Sequence, residues 1–200
     1  MVIAPGTTLA DYLVPARESR TLNFFRNLAL IISFSLFTAL CAQIAFPLWG
    51  TPVPITLQTL AVLLTGAALG SKRGALAMLL YMGLGSVGLP FFAGGSSGFP
   101  LFTGGYLIGF VVAAFVVGWL CERGLDRSLL TSAIAMVPGS VLIYLIGATW
   151  LGFALHVTAS VAFAEGVAPF IIGDLLKLVV ATLLLPLAWA LIRRVYQKRS

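Results

Sequence analysis

LLTSAIAMVPGSVLIYLIGATWLGFAL, residues Leu129–Leu155, holds no Asp, Glu, Lys, Arg or His. At about 1.5 Å per residue, a helix of that length exceeds a hydrocarbon core about 30 Å thick. The rest of the chain is of the same kind. Residues of the AVILMFWYC set make up 60% of its 200 residues and charged residues only 9%, whereas an ordinary soluble domain is about 25% charged. Twelve basic and six acidic residues cannot cover the surface of a globule this size. The composition excludes a soluble domain, a disordered chain and a disulfide scaffold. The apolar runs are continuous rather than alternating, which argues against a β-barrel. An all-α membrane protein remains.

Working outward from Leu129–Leu155, five more stretches read as spans: Leu28–Leu48, Ile55–Gly70, Ala75–Phe92, Gly105–Cys121 and Pro169–Ile192. The connectors orient them. Arg17, Arg20 and Arg26 precede the first; Lys72 and Arg73 follow the second; Arg123 and Arg127 follow the fourth; Arg193, Arg194, Lys198 and Arg199 follow the sixth. These are all but one of the basic residues, and they fall on one side. The opposite connectors, 49–54, 93–104 and 156–168, contain no Lys or Arg. The positive-inside rule then predicts six spans with both termini cytoplasmic, in the cytoplasmic membrane. Residues 1–27 read as a cytoplasmic segment without a cleavable signal. In it Leu9–Val14 is either a short surface helix ended by Pro15 or part of a solvated tail. Residues 28–192 form the transmembrane domain, and 193–200 a basic cytoplasmic tail. The positive charge lies in short connectors, so it does not indicate nucleic acid.

Several chemistries are excluded. One histidine and two separated cysteines, Cys41 and Cys121, give no metal-ligand pattern. Gly66–Lys72 is one residue short of a phosphate-binding loop and does not sit between strand and helix. No cofactor or ATP site is expected in the chain itself. Ser86 with His156 is a weak serine-protease pattern. Small residues recur at helix-packing spacing: Gly66, Gly70 and Gly74; Gly105 and Gly109; Ala29 with Ser33; and Ser35 with Ala39. Each set suits either packing within the bundle or docking of another membrane subunit.

Two segments carry chemistry. In PFIIGDLLK, Pro169–Lys177, Asp174 and Lys177 lie three apart on one helix face in the outer half of the sixth span. A charge at such depth costs at least about 2.5–3.5 kcal/mol on insertion scales. The pair is either a self-neutralising structural ion pair or a polar site facing a cavity. As a site it suits a ligand bearing both a carboxylate and N–H groups. The second segment, Phe91–Tyr106, is external, uncharged, glycine-rich and aromatic. Its end at Gly104, Gly105 and Tyr106 allows close backbone approach to a ligand and adds a ring and a hydroxyl. Thr56 and Gln58, after the stiff Pro52 and Pro54, are candidate hydrogen-bond donors at the outer mouth of the second span. His156 and Glu165 read as solvated.

Four ordered motifs carry a resemblance to a known family. VPITLQTLAVLLTGAALGSKRGALA (Val53–Ala77), the stretch from Leu80-Tyr81 to Gly95, TGGYLIGF (Thr103–Phe110) and PFIIGDLLK (Pro169–Lys177) resemble the BioY biotin transporters. These are the biotin-specific S components of energy-coupling-factor (ECF) vitamin uptake systems. The resemblance covers about residues 28–192. It implies a six-helix S-component fold, an external biotin pocket lined by Tyr106, Asp174 and Lys177, and no catalysis. It also implies partners: a transmembrane coupling subunit and two ABC ATPases, or other copies of the chain if it acts alone. Docking would use the small-residue face of the first span, here Ala29, Ser33, Ser35 and Ala39. Asp174 would accept a ureido N–H. Lys177 would either neutralise the biotin carboxylate or fix Asp174. The alternatives are an S component for a different carboxylated vitamin, a small membrane enzyme using Asp174 or Lys177 as acid or base, and a structural membrane subunit that binds no small molecule.

Overall fold

The computed structural model describes residues 7–197, with side chains through residue 194. Lys198 and Arg199 lie outside the described residues. The chain is helical, with α1 (Leu9–Leu13), α2 (Arg20–Gln43), α3 (Gln58–Leu69), α4 (Ser71–Ser86), α5 (Gly104–Glu122), α6 (Leu129–Leu155), α7 (Ala159–Gly166) and α8 (Ile171–Gln197). Two residue pairs, Ala45–Phe46 (β1) and Ile55–Thr56 (β2), bridge antiparallel between α2 and α3.

Among the described residues, four helical segments are long and apolar enough to cross a membrane: Arg20–Gln43, Gly104–Glu122, Leu129–Leu155 and Ala159–Arg194. The last runs α7, a tight turn and α8 together. The expected second and third spans are shorter than read: α3 has 12 residues and α4 has 16. They reach only about 18 and 24 Å. The loss lies at the ends away from their junction, where α3 starts at Gln58 rather than Ile55 and α4 stops at Ser86 rather than Phe92. A single residue, Gly70 with φ +84°, separates them, where four connector residues had been expected. That φ favours glycine. The first expected span also differs: α2 starts at Arg20 behind the N-cap Ser19, whose hydroxyl accepts from Leu22 N. It stops at Gln43, where the chain turns into β1.

The centre of the bundle is α5, which packs against α3, α4 and α6. Its glycines and alanines allow this. Gly118 lies against the backbone of Gly70 and Ser71, and Gly109 against Ile143. Gly66 abuts the Ala114 backbone, and Gly74 abuts Gly66. The glycine motifs at 66–74 and 105–109 are therefore closed inside the bundle, not offered to another subunit. Ser35 and Ala39 are likewise buried, at 1% and 6% exposure, which removes them as an external docking surface. Ala29 and Ser33 lie on the exposed face of α2.

The arginine-rich end is stitched by carboxylates. Asp11 of α1 accepts from Arg26 Nη2 at 2.7 Å and from both terminal nitrogens of Arg73 at 2.8 Å. Leu9 packs among Val117, Leu185 and Trp189. So the segment 9–14 is the helix of the two expectations, and it is clamped rather than solvated. Burial opposes ionisation of Asp11, but hydrogen bonds from Arg73, Arg26 and Thr8 hold its carboxyl well below the ordinary carboxylate range. Glu122 accepts from Ser71 N at 2.8 Å and caps α4 from the end of α5. Asp126, 1% exposed, accepts from Trp189 Nε1 at 2.5 Å. Burial pushes its carboxyl up, against the effect of the Trp189 bond.

Candidate ligand-binding cleft

At the other end of the bundle a cleft opens. It holds about 650 Å³ of atom-free space, counting its open mouth. The connectors 44–57 and 87–103 wall it with Val53, Pro54, Phe92, Ala93 and Pro100; α5, α6 and Phe170 add Leu107, Phe110 and Ile143. Phe92 is buried and meets Tyr81 edge-on, ring centroids 5.5 Å apart. Trp150 Nε1 donates to Leu101 O at 2.8 Å and ties the glycine-rich connector to α6. Most of the wall is thus apolar and held by packing.

The polar groups converge from α3, α6 and α8. Asp174 lies in the first turn of α8, where a carboxylate is favoured by the helix dipole. Lys177 Nζ donates to Asp174 Oδ1 at 2.5 Å, and the two side chains are 12% and 11% exposed. Thr59 Oγ1 donates to the same Oδ1 at 3.2 Å and accepts from Lys177 Nζ at 3.3 Å. Tyr144 OH donates to Asp174 Oδ2 at 2.7 Å. Asp174 and Lys177 line the cleft together with Thr59 and Tyr144. A buried ion pair of this kind is costly unless its remaining lone pairs and protons are matched. Thr59 and Tyr144 match part of them. One lone pair of Oδ2 and one Nζ hydrogen are left for a ligand.

The other expected site residues divide. Tyr106 brings its ring to the cleft, but its hydroxyl donates to Gly166 O at 2.7 Å and moors the end of α7. Thr56 and Gln58 line the cleft and are bonded to each other: Thr56 Oγ1 donates to Gln58 Oε1 at 2.9 Å, and Gln58 Nε2 donates to Tyr81 OH. Gly104 and Gly105 are not among the lining residues. They lie under Phe99 and Trp150, where their missing side chains let α5 approach its neighbours. His156 is exposed and closes α6 in a left-handed conformation, φ 56°. Ser86 Oγ donates to Met82 O within its own helix at 2.7 Å and forms no nucleophile–base pair with His156. The sequence reading missed Tyr144 and passed over Thr59. Neither carries a charge that demands explanation, and Tyr144 lies 30 residues before its partner.

The BioY family profile matches residues 15–194. The biotin transporter BioY of Thermotoga maritima is 41% identical over 160 residues, covering 77% of this chain and 92% of its own length. The biotin transporter BioY of Rhodobacter capsulatus is 43% identical over 177 residues, covering 79% of this chain and 90% of its own. A crystal structure of the S-component for biotin from an ECF-type ABC transporter has the same fold. Its TM-score is 0.74 at 23% identity, over 90% of this chain and 95% of that one.

Proposed function

The chain belongs to the BioY family, and on that premise we propose that it captures biotin in the cleft and delivers it across the membrane. It is a multi-pass protein of a prokaryotic cell membrane and a transporter subunit, not an enzyme. The observation that carries the site assignment is the Asp174–Lys177 pair, 2.5 Å apart and facing a mostly apolar cleft. Asp174 accepts a ureido N–H. Lys177 both fixes Asp174 and presents its remaining hydrogen to a ligand oxygen. Tyr106 supplies an apolar wall, and Thr56 and Gln58 shape the mouth next to the β1–β2 bridge.

The topology that fits is six membrane-embedded helices, α2–α6 and α8, with both termini on the cytoplasmic side and the cleft outside. It puts the arginine-rich connectors inside, and Lys177, the remaining cation, at the ligand. In an ECF system the energising partners are a transmembrane coupling subunit and two ABC ATPases. Ala29 and Ser33, on the exposed face of α2, are the small residues placed to meet such a subunit. Residues 28–192 form the biotin-binding domain, flanked by the 1–27 segment that carries α1 and by the basic 193–200 tail.

The test is equilibrium binding of labelled biotin to the detergent-solubilised chain, with Asp174→Asn in parallel. Saturable binding by the native chain that weakens about 30-fold or more in the variant is expected. No binding by a folded native chain overturns the ligand assignment, and equal binding by both overturns the site.

A further inference from the structure

The ion pair does not orient itself. Asp174 and Lys177 sit three residues apart on one helix, and that spacing alone leaves the carboxylate free to rotate about its last torsion. Two hydroxyls from other helices fix it. Thr59 of α3 bridges the pair, donating to Asp174 Oδ1 and accepting from Lys177 Nζ. Tyr144 of α6 holds the opposite oxygen, Oδ2, at 2.7 Å. Oδ1 therefore accepts from both Lys177 and Thr59 and is filled. Oδ2 accepts once, and its second lone pair is the only one open to a ligand. The Tyr144 ring also stands between two voids. It lines the cleft on one side and, on the other, an apolar crevice between α6 and α7 bounded by Leu145, Phe153 and Phe163.

From this arrangement we infer that Tyr144 and Thr59 are positioning residues, which aim the free lone pair of Asp174 at an N–H donor of the ligand. This rests on the reading of the cleft as the biotin site. A hydrogen bond to a charged acceptor is worth enough that losing one costs roughly tenfold or more in affinity. The loss is specific to ligands that use that lone pair.

Calorimetric titration of the full chain in detergent tests it, with biotin and a biotin methylated on both ureido nitrogens as probes. Unfolding temperatures measured in parallel show whether each variant is folded. Tyr144→Phe is expected to bind biotin about tenfold more weakly, while binding the methylated probe as the native chain does. Thr59→Val is expected to weaken biotin binding, and Thr59→Ser to restore it. Combining Tyr144→Phe with Asp174→Asn is expected to add nothing to Asp174→Asn alone, because the tyrosine acts through the carboxylate. Native affinity in a folded Tyr144→Phe chain overturns the inference, as does an equal loss for both probes or full additivity with Asp174→Asn. Failure of the native chain to bind biotin overturns the functional reading, and this inference with it.

Discussion

Asp11 and Asp174 are both carboxylates gripped by basic side chains, at opposite ends of one bundle. Asp11 takes a bidentate arginine from α4, a second arginine from α2 and a hydroxyl from its own cap. Its oxygens are filled by the protein, and it joins three elements remote in sequence. Asp174 takes a lysine from its own helix and one hydroxyl from each of two others, and it faces empty space. The arginine fork suits a permanent joint, because its planar geometry saturates a carboxylate. The lysine leaves donor and acceptor capacity over. The difference in partners, not in charge, separates a rivet from a binding site.

The largest expected effect breaks the pair at the cleft. Truncating one partner of a hydrogen-bonded charge pair at a binding surface costs about 2–5 kcal/mol of binding free energy. Lys177→Ala should therefore cost biotin affinity about 30-fold or more, as Asp174→Asn should, whereas Arg73→Ala should leave affinity in the folded chain unchanged. Equilibrium binding measures both.

Next in size is the packing that separates the two ends. Gly118→Ala drives a methyl into the Gly70–Ser71 backbone, which cannot yield as a side chain can. A loss of about 1–3 kcal/mol is expected, read as a lower unfolding temperature in detergent. Gly83→Ala meets nothing within 4 Å and should not destabilise the chain.

Acid should act on the joint at Asp11. The folded-state pKa of Asp11 is lowered, so its contribution to stability is complete above its unfolded value, near 4, and declines as pH falls below it. Asp11→Asn should lower stability by about 1–2 kcal/mol at neutral pH. It should also flatten the acid limb of a stability–pH curve, without moving biotin affinity at neutral pH.

The smallest effect has the opposite sign. The folded-state pKa of Asp126 is raised, so its ionised form burdens the fold as pH rises past the unfolded carboxylate range. Asp126→Asn keeps an acceptor for Trp189 Nε1 and removes the buried charge. It should stabilise the chain by about 1 kcal/mol or less at neutral pH, read as a slightly higher unfolding temperature. A fall would place Asp126 among the rivets.

The sequence revealed what hydrophobicity and charge dictate. The long apolar runs located α2, α5, α6 and α8, and the charged pair of α8 and the glycine-rich connector pointed to the elements that line the cleft. The α3–α4 junction was not legible, because a one-residue turn depends on Gly118 of α5 leaving room for it. Helix α7 was hidden in a segment read as a plain connector, and it is anchored by the Tyr106 hydroxyl. Tyr144 and Thr59 were invisible for a related reason. A hydroxyl in an apolar run looks like any other packing residue until the helix opposite brings it a carboxylate.

The spacing of Asp174 and Lys177 also bears on how such a chain is made. Both charges travel on one helix, so they can meet within a turn of α8 as it forms, before any other helix is beside it. The machinery that passes α8 into lipid then handles a neutral dipole rather than two separate ions. The chemical centre is inherited from a single segment, and later helix association only trims its orientation. Asp11, whose arginines lie 15 and 62 residues away, has no such head start. Its joint closes only when α1, α2 and α4 have come together, which makes it a marker of completed assembly.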